Sequence, residues 1–130
     1  MVKKGQQRRL SPRKELARVM VSYVASMEDL AKIARNCEIL DASISGLLLL
    51  VKRKDLIPPS LRGNLNLDML VGHRIFMRIE DMNLEISGKI ARTKFLGKQG
   101  FHLAVDYTEE SPEYWRECLM DLLPAPGEID

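Results

Sequence analysis

The stretch from residue 74 to residue 107 reads RIFMRIEDMNLEISGKIARTKFLGKQGFHLAVDY and contains three runs in which apolar and polar residues alternate. Alternation with a period of two places successive side chains on opposite faces of a strand, so each run predicts a β-strand with one buried face. Residues 81–83 and 97–100 separate the runs with turn-forming Asp, Asn and Gly. The expected inward positions are Ile75, Met77, Ile79, Leu84, Ile86, Gly88, Ile90, Phe101, Leu103, Val105 and Tyr107.

The residues upstream predict three more strands. Residues 19–24 alternate and are rich in valine, residues 37–40 predict a short strand that runs into Asp41, and residues 46–52 are a continuous apolar run. The continuous run suits a strand buried on both faces or one that closes a sheet. Residues 26–30 fit either a short helix capped by Ser26 or a hairpin connection. Residues 54–72 contain Pro58, Pro59 and Gly63 and predict a loop.

The last predicted element is a helix. Ser111 suits the N-cap, Pro112 suits the first helical position, and Pro124 ends the segment. Its apolar stripe is expected to comprise Trp115, Cys118, Leu119 and Leu122. The fold class is therefore mainly β: a six-stranded antiparallel barrel with a C-terminal α-helix over one end or side.

Length and composition indicate one domain, since the 130 residues are 45% hydrophobic and 29% charged. We expect a basic arm over residues 1–14, the barrel and helix over residues 15–124, and a tail over residues 125–130. No apolar run approaches the roughly 18–20 residues that span a bilayer, and no apolar stretch follows the N-terminal basic residues. These features predict a cytoplasmic protein without membrane insertion.

Charge is unevenly distributed along the chain. Six basic residues and no acidic one precede Glu15, whereas eight acidic residues and one basic residue lie from Asp106 onward. The basic arm predicts an anionic partner. Cys37 and Cys118 are isolated in the sequence, so both are expected to be free, buried thiols.

Catalytic chemistry is not indicated. The two histidines, His73 and His102, lie far apart without a surrounding motif, and His102 is expected on an outward strand face. Because no nucleophile with its base, carboxylate pair or metal-ligand spacing is present, we expect a protein that is not an enzyme and holds no cofactor or metal.

Two short motifs remain to be explained. Arg9 and Arg13 form an RxxxR pattern directly preceded by Arg8. Asp41, Ser43 and Gly46 form a DxSxxG pattern that begins 28 positions after Arg13. Each motif alone is weak, because the first also fits a solvated basic tail and the second fits an Asx-type turn between two strands.

Together the two motifs resemble the signature of PilZ domains, in which RxxxR is followed after some twenty to thirty residues by [D/N]xSxxG. The resemblance covers roughly residues 8–123, including the barrel and the terminal helix. It implies a bacterial receptor for cyclic di-GMP whose ligand contacts would be Arg8, Arg9, Arg13, Asp41, Ser43 and Gly46. An arginine directly before RxxxR accompanies binding of a stacked ligand pair in that family, so Arg8 implies two ligand molecules per domain.

The residue types suit that ligand. Arginine pairs with phosphate oxygens bidentately and also matches O6 and N7 of guanine. Asp41 can accept from the N1–H and N2–H₂ of guanine, and Ser43 can donate to phosphate or accept from the backbone. Gly46 lacks a Cβ, which permits a sharp turn or the close approach of a base.

The expected function is therefore a receptor or adaptor. Ligand binding would order the arm, and the output would be contact with an effector protein in motility, pili or exopolysaccharide control. One alternative is a small barrel that binds single-stranded nucleic acid, which steeply salt-dependent oligonucleotide binding would reveal. The other is a structural interaction module without a ligand.

Overall fold

Six antiparallel strands form a closed barrel in the computed structural model, which describes residues 13–28 and 31–125. The neighbour order around the barrel is β1-β2-β3-β6-β5-β4, and β4 pairs with β1 to close it. The strands are β1 (Lys14–Ser26), β2 (Lys32–Ala42), β3 (Gly46–Val51), β4 (Arg74–Ile79), β5 (Leu84–Phe95) and β6 (Phe101–Asp106). The predicted fold class is confirmed.

Helical segments close both ends of the barrel. Helix α1 (Pro59–Arg62) and the 3₁₀ turns Arg53–Asp55 and Asp68–Leu70 belong to the connection between β3 and β4. The side chains from this connection that plug the nearby barrel end are Leu56, Leu61, Leu67 and Leu70, all buried. Further 3₁₀ turns, Glu80–Met82 and Gly97–Gln99, connect β4 to β5 and β5 to β6. Helix α2 (Glu113–Leu122) covers the opposite end.

The core follows the predicted alternation. All the expected inward positions of β4, β5 and β6 are buried except Leu84, which is half-buried. Strand β3 also alternates, because Leu48 and Leu50 are half-buried on the outer surface. Of the two alternatives for this run, the strand buried on both faces is therefore wrong.

Strands β1 and β2 pair as an antiparallel hairpin. Strand β1 ends at Ser26, β2 begins at Lys32, and the Ser26 N–H donates to the Ala31 carbonyl over 2.8 Å. The described residues 26–28, which end β1 and begin a turn, agree with the hairpin alternative, while residues 29 and 30 lie outside the described residues.

Helix α2 differs from its prediction in two respects. Its N-cap is Pro112, whose carbonyl accepts from the N–H groups of Trp115 and Arg116, so Ser111 lies one residue outside the cap. Of the expected apolar stripe, Leu119 is buried and Trp115 is half-buried, whereas Leu122 is 56% exposed.

The two cysteines have different environments. Cys37 is fully buried, as expected, but Cys118 is exposed on α2. The prediction that both thiols are buried is wrong for Cys118, because α2 packs on the barrel through the neighbouring Leu119.

Candidate functional site

The two sequence motifs meet at the barrel end where β1 begins and β2 ends. Arg13 directly precedes β1, and Asp41 is the penultimate residue of β2. The antiparallel register pairs Lys14 with Ala42 and Glu15 with Asp41, so strand pairing brings together residues 28 positions apart. Arg8 and Arg9 lie outside the described residues.

An ion pair joins the motifs. Nε of Arg13 donates to Oδ1 of Asp41 over 2.7 Å, and its Nη2 lies 2.6 Å from the same oxygen. The Arg13 side chain is 45% exposed and that of Asp41 is 26% exposed, so both charged groups remain accessible from solvent. Within the described chain the carboxylate of Asp41 bonds an arginine and no turn amide, which disfavours the Asx-type role.

Ser43 supports the turn between β2 and β3. Its N–H donates to the Gly46 carbonyl over 2.7 Å, and its Oγ accepts from the Ser45 N–H over 3.2 Å. The residue is fully buried. In the described structure the Ser43 hydroxyl thus contacts the backbone of the turn and the Ser45 hydroxyl.

Gly46 allows β3 to approach β6 closely. A Cβ at this position would lie 2.1 Å from the backbone oxygen of Val105. Gly46 is paired with Asp106 in the register of these strands. The close approach expected for a ligand base is thus occupied by the neighbouring strand, and Gly46 acts on the site through strand packing.

Two residues that the motifs do not include hold the same turn from beneath. The buried Tyr107 hydroxyl donates to the Ser43 carbonyl, and Nη1 of Arg116 donates to the Ile44 carbonyl over 2.6 Å. Burial raises the pKa of the Tyr107 hydroxyl well above its ordinary value, against the smaller lowering effect of Arg116. A buried tyrosine predicts some hydrogen-bond partner, but its sequence context does not name one.

A shallow platform on the outer barrel surface adjoins the ion pair. The strand registers place Asp41, Leu48, Ala104 and Arg92 in one cross-strand row and Glu38, Leu50, His102 and Lys94 in another. The outer platform, defined here as Leu48, Leu50, His102 and Ala104, is half-buried. The carboxylates Asp41 and Glu38 therefore lie along one edge of a floor that is apolar apart from His102, and the cations Arg92 and Lys94 lie along the other.

The cations at the platform edge are available to a ligand. Arg92 and Lys94 are exposed, and neither forms an ion pair with another residue of the described ranges. Burial and the nearby Lys94 hold the pKa of His102 below its ordinary value, while Asp41 opposes this shift. This shift favours the neutral imidazole over the charged one.

A groove of about 320 Å³ extends the outer platform toward the other barrel end. It shares Glu38 and Leu50 with the platform rows and adds the cations Arg18, Lys52 and Lys54. Asn36, also on its wall, has a left-handed backbone with φ of 54°. The motifs predicted none of these groove residues.

Residues 13–28 and 31–125 lack the features of a metal site or a membrane span. No group of three or more His, Cys, Asp and Glu side chains there could hold a metal ion. No helix in those ranges combines the length and apolar character that crossing a bilayer requires.

Comparison of the chain with protein-family models and with curated proteins finds no match to either.

Proposed function

We propose that the chain is a cyclic di-GMP receptor of the PilZ type, and not an enzyme, that binds its ligand beside the Arg13–Asp41 pair. The observation that carries this proposal is the contact between the RxxxR and DxSxxG motifs, made through Nε of Arg13 and Oδ1 of Asp41 at 2.7 Å. Strand register brings a guanidinium and a carboxylate side by side, and these groups suit phosphate and the guanine edge respectively.

The Arg13–Asp41 ion pair can separate at low cost in free energy, which frees both side chains for the ligand. Because both side chains are partly exposed, separating them costs only about 0–1 kcal/mol. Arg13 would then pair with a phosphate or with guanine O6 and N7, and Asp41 would accept from guanine N1–H and N2–H₂. The hydrogen bonds to charged groups in the complex offset the loss of the pair.

The outer platform supports the rest of the ligand. A guanine ring can rest on Leu48 and Ala104, because the apolar floor is only half-buried in the free chain. Arg92 and Lys94 line the edge opposite Asp41 and would draw the phosphates across the floor.

The arm would complete the site. Arg8 and Arg9 supply two further guanidinium groups, and with Arg13 they favour two stacked ligand molecules, which bring four phosphates together. Binding would order the arm on the barrel, and the changed surface would contact an effector protein in the cytoplasm. Motility, pili and exopolysaccharide control are the processes that the resemblance offers.

Calorimetric titration of the full chain with cyclic di-GMP tests this proposal and returns the stoichiometry. We expect Arg13→Ala to abolish measurable binding. The matched control is Arg62→Ala, which removes an exposed arginine at the opposite barrel end and should leave the affinity unchanged. Asp41→Ala should weaken binding and reduce discrimination against cyclic di-AMP, since a bidentate base contact discriminates by about 1–3 kcal/mol.

Two results would contradict the proposal. One is a parent protein that releases no heat with cyclic di-GMP. The other is an Arg13→Ala variant that binds as the parent does. Oligonucleotide binding with a steep salt dependence would instead support the nucleic-acid alternative.

A further inference from the structure

The outward face of α2 carries an apolar stripe. Tyr114 and Leu122 are 70% and 56% exposed, and the exposed Cys118 lies between them at the i, i+4, i+8 spacing of one helix face. These three residues are called the α2 stripe. Large exposed apolar side chains aligned in this way mark a contact surface.

An acidic edge runs beside the α2 stripe. Glu113, Glu117 and Asp121 repeat at the same helical spacing and are exposed. None of the three forms an ion pair within the described parts of the chain. A basic segment with apolar side chains would complement this face, whereas a symmetric contact with a second copy would bring like charges together.

The inner side of α2 contacts both halves of the candidate site. Arg116 donates to the Ile44 carbonyl in the turn of the DxSxxG motif. Nζ of Lys14, which follows Arg13, donates to the Met120 carbonyl over 2.8 Å. The chain therefore enters the described structure beside the last turns of α2.

Residues 1–12, which precede this entry point, have the chemistry that the α2 face requires. They include Lys3, Lys4, Arg8 and Arg9, no acidic residue, and the apolar Val2 and Leu10. An extended chain advances about 3.3 Å per residue, so residues 8–12 can reach roughly 16 Å. The ten residues of α2 extend about 15 Å along the helix axis. Arg8 and Arg9 can therefore reach the acidic edge.

We propose that residues 1–12 dock on the outward face of α2 when no ligand is bound, with their basic side chains along the acidic edge and Leu10 on the α2 stripe. The part that concerns the ligand rests on the proposed function. Arg8 and Arg9 cannot bind phosphates and the acidic edge at once, so cyclic di-GMP withdraws the arm and uncovers the α2 stripe. Ligand binding is thereby converted into exposure of a contact surface.

Paramagnetic relaxation in the full-length protein tests the docking. A nitroxide label reacts selectively with the exposed Cys118, because Cys37 is buried and burial raises the pKa of its thiol to about 12. We expect the label to broaden the amide signals of residues 3–10. Glu113→Lys/Glu117→Lys should reduce this relaxation effect by about threefold or more, as loss of a few exposed ion pairs implies.

Charge exchange and a matched control sharpen the test. Combining Glu113→Lys/Glu117→Lys with Arg8→Glu/Arg9→Glu should restore the broadening. Asp68→Lys reverses one exposed carboxylate at the other barrel end, half the charge change of the double variant, and should have no effect on the broadening. In unlabelled protein, the amide chemical shifts of Tyr114 and Leu122 should change in Glu113→Lys/Glu117→Lys and return toward the parent values in the charge-exchanged variant. Agreement with the relaxation data excludes an effect of the label itself.

The outcomes separate the two proposals. Equal broadening of the amide signals of residues 3–10 in the parent and in Glu113→Lys/Glu117→Lys would overturn the docking. Broadening that grows with protein concentration would also overturn it, because it would indicate contact with a second copy. If the charge-exchange variants behave as expected but the parent shows no calorimetric binding of cyclic di-GMP, the docking is retained and the receptor function is rejected. Added cyclic di-GMP should abolish the broadening if both proposals hold.

Discussion

At the scale of single residues, Tyr107 links the barrel core to the candidate site. Its ring is fully buried, and its hydroxyl donates to the carbonyl of Ser43. Burial raises the pKa of this hydroxyl well above the ordinary value for tyrosine. The neutral hydroxyl is thus part of the folded state, and it is the donor to the Ser43 carbonyl, while Arg116 donates to the neighbouring Ile44 carbonyl.

Tyr107→Phe should lower the free energy of unfolding at pH 7 by about 1–3 kcal/mol, because the buried Ser43 carbonyl loses its donor. The pKa of Tyr107 is raised on folding, so its contribution is complete below the unfolded pKa of about 10 and is lost as pH rises above that value. The variant should therefore lose less stability than the parent above pH ~10. Urea denaturation at pH 7 and at several alkaline pH values measures both effects.

Tyr114→Phe is the matched control, since Tyr114 is 70% exposed and the same hydroxyl is removed. Its unfolding free energy should stay within about 0.5 kcal/mol of the parent. If the free energy of unfolding falls equally with pH above ~10 in the parent and in Tyr107→Phe, this hydroxyl is not the group whose ionisation destabilises the fold.

At the scale of elements, the pairing of β3 with β6 sets the geometry of the DxSxxG turn. Gly46 begins β3 and lies opposite Asp106 at the end of β6. A Cβ on Gly46 would meet the backbone oxygen of Val105 at 2.1 Å, and backbone cannot rotate away as a side chain can. The glycine of the motif is therefore required by the barrel itself.

Gly46→Ala should lower the free energy of unfolding by about 3 kcal/mol or more, because the added methyl group forces β3 away from β6. Gly63→Ala makes the same change at the end of α1, where φ is −91° and no atom lies within 4 Å of the place that the added methyl group would take. That control should stay within about 0.5 kcal/mol of the parent. Equal stability of the two variants in urea denaturation would refute the close approach of the strands.

At the scale of the whole molecule, one barrel end carries the candidate site and α2, and the other is plugged by the connection between β3 and β4. The site end contains contacts that span the chain, such as that between Lys14 and Met120. A ligand that binds only the folded barrel must stabilise the entire domain, because these contacts couple the chain ends to the core.

Cyclic di-GMP at about 100 times its Kd should stabilise the folded chain by about 2.7 kcal/mol. For a domain of this size that corresponds to a rise of roughly 10 °C in the midpoint of thermal unfolding. Asp41→Ala should abolish most of this rise while changing the ligand-free midpoint by only about 1–3 °C, since the Arg13–Asp41 pair is partly exposed. A large loss of ligand-free stability would instead make Asp41 a structural residue.

The candidate site was predictable from sequence only in part. The motifs identified Arg13 and Asp41, which do meet, because both lie at the ends of strands that pair as a hairpin. They did not identify Arg116 or Arg92. Arg116 reaches the turn from a helix 72 positions away, and Arg92 reaches the platform row through the registers of β5, β6 and β3.

By itself, the amino-acid sequence determined the fold class, the number of strands and the inward faces of β4, β5 and β6, because alternation of apolar residues is a local property that can be read along the chain. Only the tertiary structure decided that Cys118 is exposed, that Gly46 faces Val105 and that Tyr107 supports Ser43. The physical reason is that burial and close contact depend on which distant segments pack together. A local hydrophobic period shows which face of a strand or helix is apolar, but it does not show which distant segment packs on that face.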